Sequence, residues 1–183
     1  EFWFSGISSV TTINLPNAEN IGNDAFYGCT SLTDLRAPNV KTIGSYAFYN
    51  CSSLTSVNMP YVTSIGSTAF SQCTKLSSVN LPELQSMSGE SFAGDVLLTE
   101  LHLPNLTTLL NGGLYIPNIR VLDLPVLTTR DNSNLIANNA QGNTTLEEVN
   151  APKLETLNAG DFANCTNLKK VNVEAAKTIS GST

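Results

Sequence analysis

The chain has 183 residues, 41% of them hydrophobic and only 13% charged, with a formal net charge of −6 at pH 7. The charged share is about half the usual value of roughly 25%, and Asn, Ser and Thr fill the polar positions, which suits an extracellular surface. With no cluster of Lys or Arg, the chain lacks the phosphate-neutralising charge that nucleic acids demand and the pull toward anionic lipid. No apolar run approaches the roughly 18 residues of a membrane-spanning helix.

From its first turn onward the chain repeats itself. Pro16, Pro38, Pro60, Pro82 and Pro104 stand 22 residues apart; Pro125 follows after 21, Pro152 after 27, and Glu174 holds the same slot 22 residues later. An apolar triplet precedes each of these positions. In chain order the triplets are Val10/Ile13/Leu15, Leu32/Leu35/Ala37, Leu54/Val57/Met59, Leu76/Val79/Leu81, Leu98/Leu101/Leu103, Ile119/Leu122/Leu124, Leu146/Val149/Ala151 and Leu168/Val171/Val173. A period of about 20–29 residues with an L-x-x-L-x-L core marks a leucine-rich-repeat solenoid. The alternation within each triplet predicts about eight short strands, stacked in parallel about 4.8 Å apart as one β-sheet.

A second apolar pair follows each proline, as in Val40/Ile43, Val62/Ile65 and Leu106/Leu109, and predicts a second strand or extended segment per repeat. Gly22, Gly44 and Gly66 then turn the chain. Ala25-Phe26, Ala47-Phe48 and Ala69-Phe70 are expected to pack a short helical or 3-10 turn into the core, with Phe92 and Phe162 continuing the column. The prolines close strands where no ladder N–H is needed.

The unit Ile21–Cys29 (I-G-N-D-A-F-Y-G-C) recurs as Ile43–Cys51 and Ile65–Cys73, with a weaker copy at Asp161–Cys165. This motif resembles the BspA-like class of leucine-rich repeats, and the likeness covers essentially the whole chain. The resemblance implies a surface protein of the kind found in gut and oral bacteria, with relatives in phages and protists. Several members of that class are adhesins for host matrix proteins, so a protein or glycan partner is the implied ligand. No ligand residues are shared across the class. Both ends of the sequence cut through a repeat, so residues 1–183 are expected to be one solenoid belonging to a longer protein.

The pattern loosens in the middle. Leu109–Pro117 carries neither the A-F turn nor the cysteine, and Arg130 replaces the apolar residue of its slot. An inserted stretch, 129–143, follows. Insertions in solenoids map to loops on one face, often the binding face.

Cys29, Cys51, Cys73 and Cys165 share one slot, which Asp95, Ile116 and Asn143 fill elsewhere. No C-x-x-C spacing or nearby His supports a metal site, and the side-chain geometry of a parallel ladder disfavours disulfides. Buried, reduced thiols are expected, and no cofactor is implied. The single histidine, His102, faces outward beside Glu100 and Asp123, without a nucleophile elbow or paired-carboxylate motif. Catalysis is not expected. Asp131–Asn134 lacks the glycine and the closing acid of a calcium loop.

Along the outward strand face one column runs Asn14, Arg36, Asn58, Asn80, His102, Asp123, Asn150, Asn172. Its asparagines are expected to stack as an amide ladder. The least repetitive part of the surface supplies the candidate partner-binding residues: Arg36, Glu100, His102, Arg120, Val121, Asp123, and, at the inserted loop, Arg130 and Asp131. The expected function is non-enzymatic recognition of a protein or glycan by a surface-displayed solenoid. The alternative is a structural spacer or assembly module of a larger surface or phage protein.

Overall fold

The computed structural model describes residues 4–131, 133–136 and 143–180. Each turn of the chain contributes two short strands. In order they are β1 (Thr12–Asn14) and β2 (Asn20–Ile21), β3 (Asp34–Arg36) and β4 (Thr42–Ile43), β5 (Ser56–Asn58) and β6 (Ser64–Ile65), and β7 (Ser78–Asn80) and β8 (Ser86–Ser88). There follow β9 (Glu100–His102) and β10 (Thr108–Leu110), β11 (Val121–Asp123) and β12 (Thr129–Arg130), β13 (Glu148–Asn150) and β14 (Thr156–Asn158), and β15 (Lys170–Asn172) and β16 (Thr178–Ser180). All pair in parallel and in register, one repeat apart. The expected solenoid is what forms, down to the second strand of each repeat.

The two ladders differ in continuity. The second strands hydrogen-bond without a break from β2 to β12, and β14 pairs separately with β16. The first strands were expected to form one stack of eight. They divide instead into β1–β3, β5–β7 and β9–β11–β13–β15. At both openings the other edges of the turn stay bonded: β4 pairs with β6 and β8 with β10, and Phe48 N donates to Ala69 O. The first ladder is therefore the edge of the solenoid that opens at these two steps.

The Ala-Phe turns also depart from expectation. Among the described residues a single 3-10 helix forms, Gly89–Phe92, and the matching segments elsewhere are separate hydrogen-bonded turns. The reason is backbone handedness. Asp24, Tyr46 and Thr68 hold φ of 54°, 57° and 59°, and Gly28, Asn50 and Gln72 hold φ of 69°, 55° and 63° four residues on. In each of these three turns two left-handed residues interrupt a right-handed helix, and in the segment before Cys165 one does, Asn164 with φ 59°. In the fourth turn Glu90 takes the first of these slots with a helical backbone, and there the 3-10 helix closes.

The core is a set of columns. Phe4, Phe26, Phe48, Phe70 and Phe92 stack face to face with centroid spacings of 5.5, 5.3, 5.1 and 5.6 Å. Leu32, Leu54, Leu76, Leu98, Ile119 and Leu146 form a second, fully buried column. The motif glycine is required by approach of backbones: a Cβ on Gly44 would stand 2.5 Å from Asn23 N of the preceding turn.

All four cysteines are free thiols. Cys29, Cys51 and Cys73 each donate Sγ–H to the carbonyl of Phe4, Phe26 or Phe48, at 3.3–3.4 Å. Asn143 keeps that function in its turn, giving Nδ2–H to Ile116 O at 3.0 Å and accepting from Thr145 N and Leu146 N. Asp95 does not. It is fully buried, and neither carboxylate oxygen has a hydrogen-bond partner among the described residues. Burial pushes its carboxyl up to about 9, so the side chain is a neutral acid at physiological pH.

Candidate partner-binding surface

The longest continuous piece of the first sheet, β9–β11–β13–β15, positions most of the candidate residues. Register places Val121 opposite Glu100, Asp123 opposite His102, and Asn150 opposite Asp123. Because Leu101, Leu122 and Val149 point inward and are buried, the residues on either side of each must point out. His102 sits between two acids, Nδ1 at 3.4 Å from Asp123 Oδ2 and Nε2 at 3.6 Å from Glu100 Oε2. Asn150 donates to the other oxygen of Asp123 at 2.7 Å, and Asn172 donates to Asn150 at 2.9 Å. A shallow hollow of about 380 Å³ lies among His102, Val121, Leu122, Asp123, Glu148 and Asn150.

The expected amide ladder exists in two pieces. Asn80 donates to Asn58 at 2.8 Å, and the Asp123–Asn150–Asn172 run forms the other. The opening between β7 and β9 separates them.

Around this cluster the charges are paired. Arg120 and Lys169 both reach Glu147, at 3.0 and 3.1 Å, and together hold its carboxyl below the usual value, Arg120 contributing most. Lys170 pairs with Glu148 at 2.6 Å. Glu148 lines the hollow, and sequence reasoning did not single it out. Its place in the column beside Glu100 and Val121 was the available signal.

The other candidates lie elsewhere. Arg36 is on β3, beyond the two openings of the sheet, and pairs with Asp34 on its own strand at 3.1 Å. Arg130 is largely withdrawn from the surface, its side chain only 7% exposed. Its guanidinium grips Asp161 in a bidentate pair at 2.6 and 2.7 Å and also donates to Ser133 O and Thr156 O. An apolar slot points into the core, so a charge placed there needs a buried counter-charge. Asp131 binds its own loop, accepting from Ser133 N at 3.0 Å, Ser133 Oγ and Gly112 N at 3.1 Å. Those bonds, Ser133 first, hold its carboxyl below the usual value. Residues 132 and 137–142 of the inserted stretch lie outside the described residues. Arg130 and Asp131 do border a cleft of about 460 Å³ between β12 and β14, with Thr129, Leu154 and Thr156.

Among the described residues no group of three His, Cys, Asp or Glu side chains is placed to hold a metal ion, and no helix is long and apolar enough to cross a membrane.

The family model of the BspA type leucine rich repeat region matches residues 1–115 and 123–183 in six copies. The chain belongs to the BspA-type leucine-rich-repeat family. The gap in the match, 116–122, begins at Ile116, which fills the cysteine slot. Two solved leucine-rich-repeat proteins share the fold of this BspA-type chain. One, from T. pallidum, is 20% identical with a TM-score of 0.59, covering 92% of this chain and 72% of that one. The other, from Bacteroides ovatus, is 22% identical with a TM-score of 0.52, covering 97% of this chain and 64% of that one. No curated protein matches the chain in sequence. The family is a repeat scaffold typical of bacterial surface-associated proteins, generally an interaction module and not an enzyme.

Proposed function

We propose that this solenoid is a non-enzymatic recognition module displayed at a bacterial cell surface, binding a protein or glycan partner on its first-strand face around His102. The observation that carries this reading is the in-register cluster of Glu100, His102 and Asp123 beside an open hollow. Here the polar column departs from its asparagine pattern on strands that pair in register from β9 to β15. Rigid strands hold the groups before a partner arrives, so little conformational entropy is lost on binding.

The test is a protein-and-glycan array probed with the chain and with a Glu100→Ala/His102→Ala/Asp123→Ala variant of unchanged circular dichroism. Binding lost in the folded variant supports the proposal. Binding that survives moves the site to the cleft between β12 and β14. A folded chain that binds nothing points to a spacer.

A further inference from the structure

A second surface stands apart from the strand face, on the turns that follow β2 and β4. Tyr27 and Tyr49 fill one slot in consecutive repeats and stack with centroids 4.9 Å apart and planes 16° apart. Tyr46 leans on Tyr49 at 5.9 Å and 58°, which makes an angled aromatic corner in place of a closed stack. Tyr27 and Tyr46 are 38% and 42% exposed.

The scaffold does not require these rings. The slot of Tyr27 and Tyr49 holds Ser71 and Ala93 in the next two turns, and the slot of Tyr46 holds Asp24 and Thr68 in its neighbours. Tyr46 has φ 57°, a backbone state costly for a bulky residue and free for glycine. That cost brings little burial in return. The backbone state itself belongs to the turn, since Asp24 and Thr68 share it; the choice of a large exposed ring for the slot is what the turn does not demand. Among the described residues nothing hydrogen-bonds the three phenol oxygens.

The surroundings decide what such rings suit. Within the two motif segments, 21–29 and 43–51, Asp24 is the one charged residue. Asn23, Ser45 and Asn50 border the rings, all of them at least partly exposed. An anionic ligand would find no cation here. A protein interface wants about 800 Å² per partner around an apolar centre, which three rings in a polar field do not supply.

We infer that Tyr27, Tyr46 and Tyr49 form a stacking platform for a neutral carbohydrate chain. The electron-rich ring faces left outside the Tyr27–Tyr49 stack attract the weakly positive C–H groups of a pyranose. Tyrosine offers this contact with little rotamer freedom to lose. Asn23 Oδ1 already accepts from Ser45 N at 2.8 Å, which leaves the phenol hydroxyls, Asn23 Nδ2 and the Asn50 amide for sugar hydroxyls.

The probes are neutral hexasaccharides, maltohexaose, cellohexaose and chitohexaose, measured by titration calorimetry and saturation-transfer NMR. At least one should bind, with transfer from tyrosine ring protons. Tyr46→Gly and Tyr49→Ser should each weaken it tenfold or more, while the thermal midpoint of Tyr46→Gly holds or rises. The Glu100→Ala/His102→Ala/Asp123→Ala variant should bind the saccharide unchanged, which separates this platform from the strand-face reading. No binding of any of the three probes overturns the inference. So does undiminished binding by the tyrosine variants, loss in the strand-face variant alone, or a tyrosine-dependent protein ligand without saccharide binding.

Discussion

Arg130 and Asp161, 31 residues apart in sequence, form a buried bidentate ion pair at 2.6 and 2.7 Å, and each departs from the residue type of its slot. Arg130 takes the apolar slot that Ile65, Met87 and Leu109 fill in earlier turns. Asp161 takes the Ala47 and Ala69 slot one turn further on. The pair bridges the step at which the second ladder is open: no hydrogen bond joins Glu155 N to Thr128 O, although Thr128 N donates to Thr107 O and Lys177 N to Glu155 O at the neighbouring steps. Asp161 also accepts from Leu135 N and Asn158 N, both at 2.7 Å, so it organises both sides of the gap.

Removing one partner strands the other as a buried charge, which costs about 3–5 kcal/mol. Arg130→Leu and Asp161→Ala should each lower stability on that scale in guanidinium unfolding. The double variant, which restores the residue types of the regular repeats, should lose clearly less than the two singles added together. Strict additivity would show that the pair is not coupled.

Asp95 makes the fold sensitive to alkali. Its folded-state value, about 9, lies above the ordinary 3.8 because burial opposes ionisation. The fold therefore binds the proton more tightly than the unfolded chain does. Its stabilising effect is complete below pH 3.8 and is lost as pH rises through 9, by up to about 1.4 kcal/mol per unit. Comparing urea midpoints between pH 5 and 8.5 should show this decline. Asp95→Cys, which installs the residue of the neighbouring turns, should flatten it and raise stability at pH 8.5.

The thiols should be inert in the folded state. Burial pushes Cys51 up to about 12 and Cys73 well above its ordinary value, Asp95 and Cys51 adding to the rise at Cys73. The reactive thiolate is therefore nearly absent at neutral pH. Titration with a chromogenic disulfide at pH 8 should leave Cys51 and Cys73 unmodified in native protein. All four cysteines should react in guanidinium.

Thr68 is β-branched, yet φ is 59°, a state that costs an L-residue about 1–2 kcal/mol. Glycine has no such cost, although it loses part of the gain to chain entropy. Thr68→Gly should stabilise the solenoid by about 0.5–1 kcal/mol, read as a higher guanidinium midpoint with an unchanged slope.

Much of this molecule was legible from residue types alone. The proline interval, the apolar triplets and the A-F motif determined a parallel two-strand solenoid, its phenylalanine and cysteine columns, and an outward polar column with His102 beside two acids. Those features follow from local periodicity, since a repeat that buries its inner face only against its neighbours writes its contacts into its own spacing. Tertiary structure decided what depends on more than one turn at once. It showed where the first ladder opens, because that reflects how three stacked edges share one pitch. It paired Arg130 with Asp161, because an odd residue in one slot is explained only by what the next turn brings beside it. It left Asp95 without a partner where Asn143 found several, and it gathered three tyrosines whose slots, read singly, are ordinary surface. Periodicity fixes the slots of the solenoid, but only the stacking of turns determines which exceptions meet.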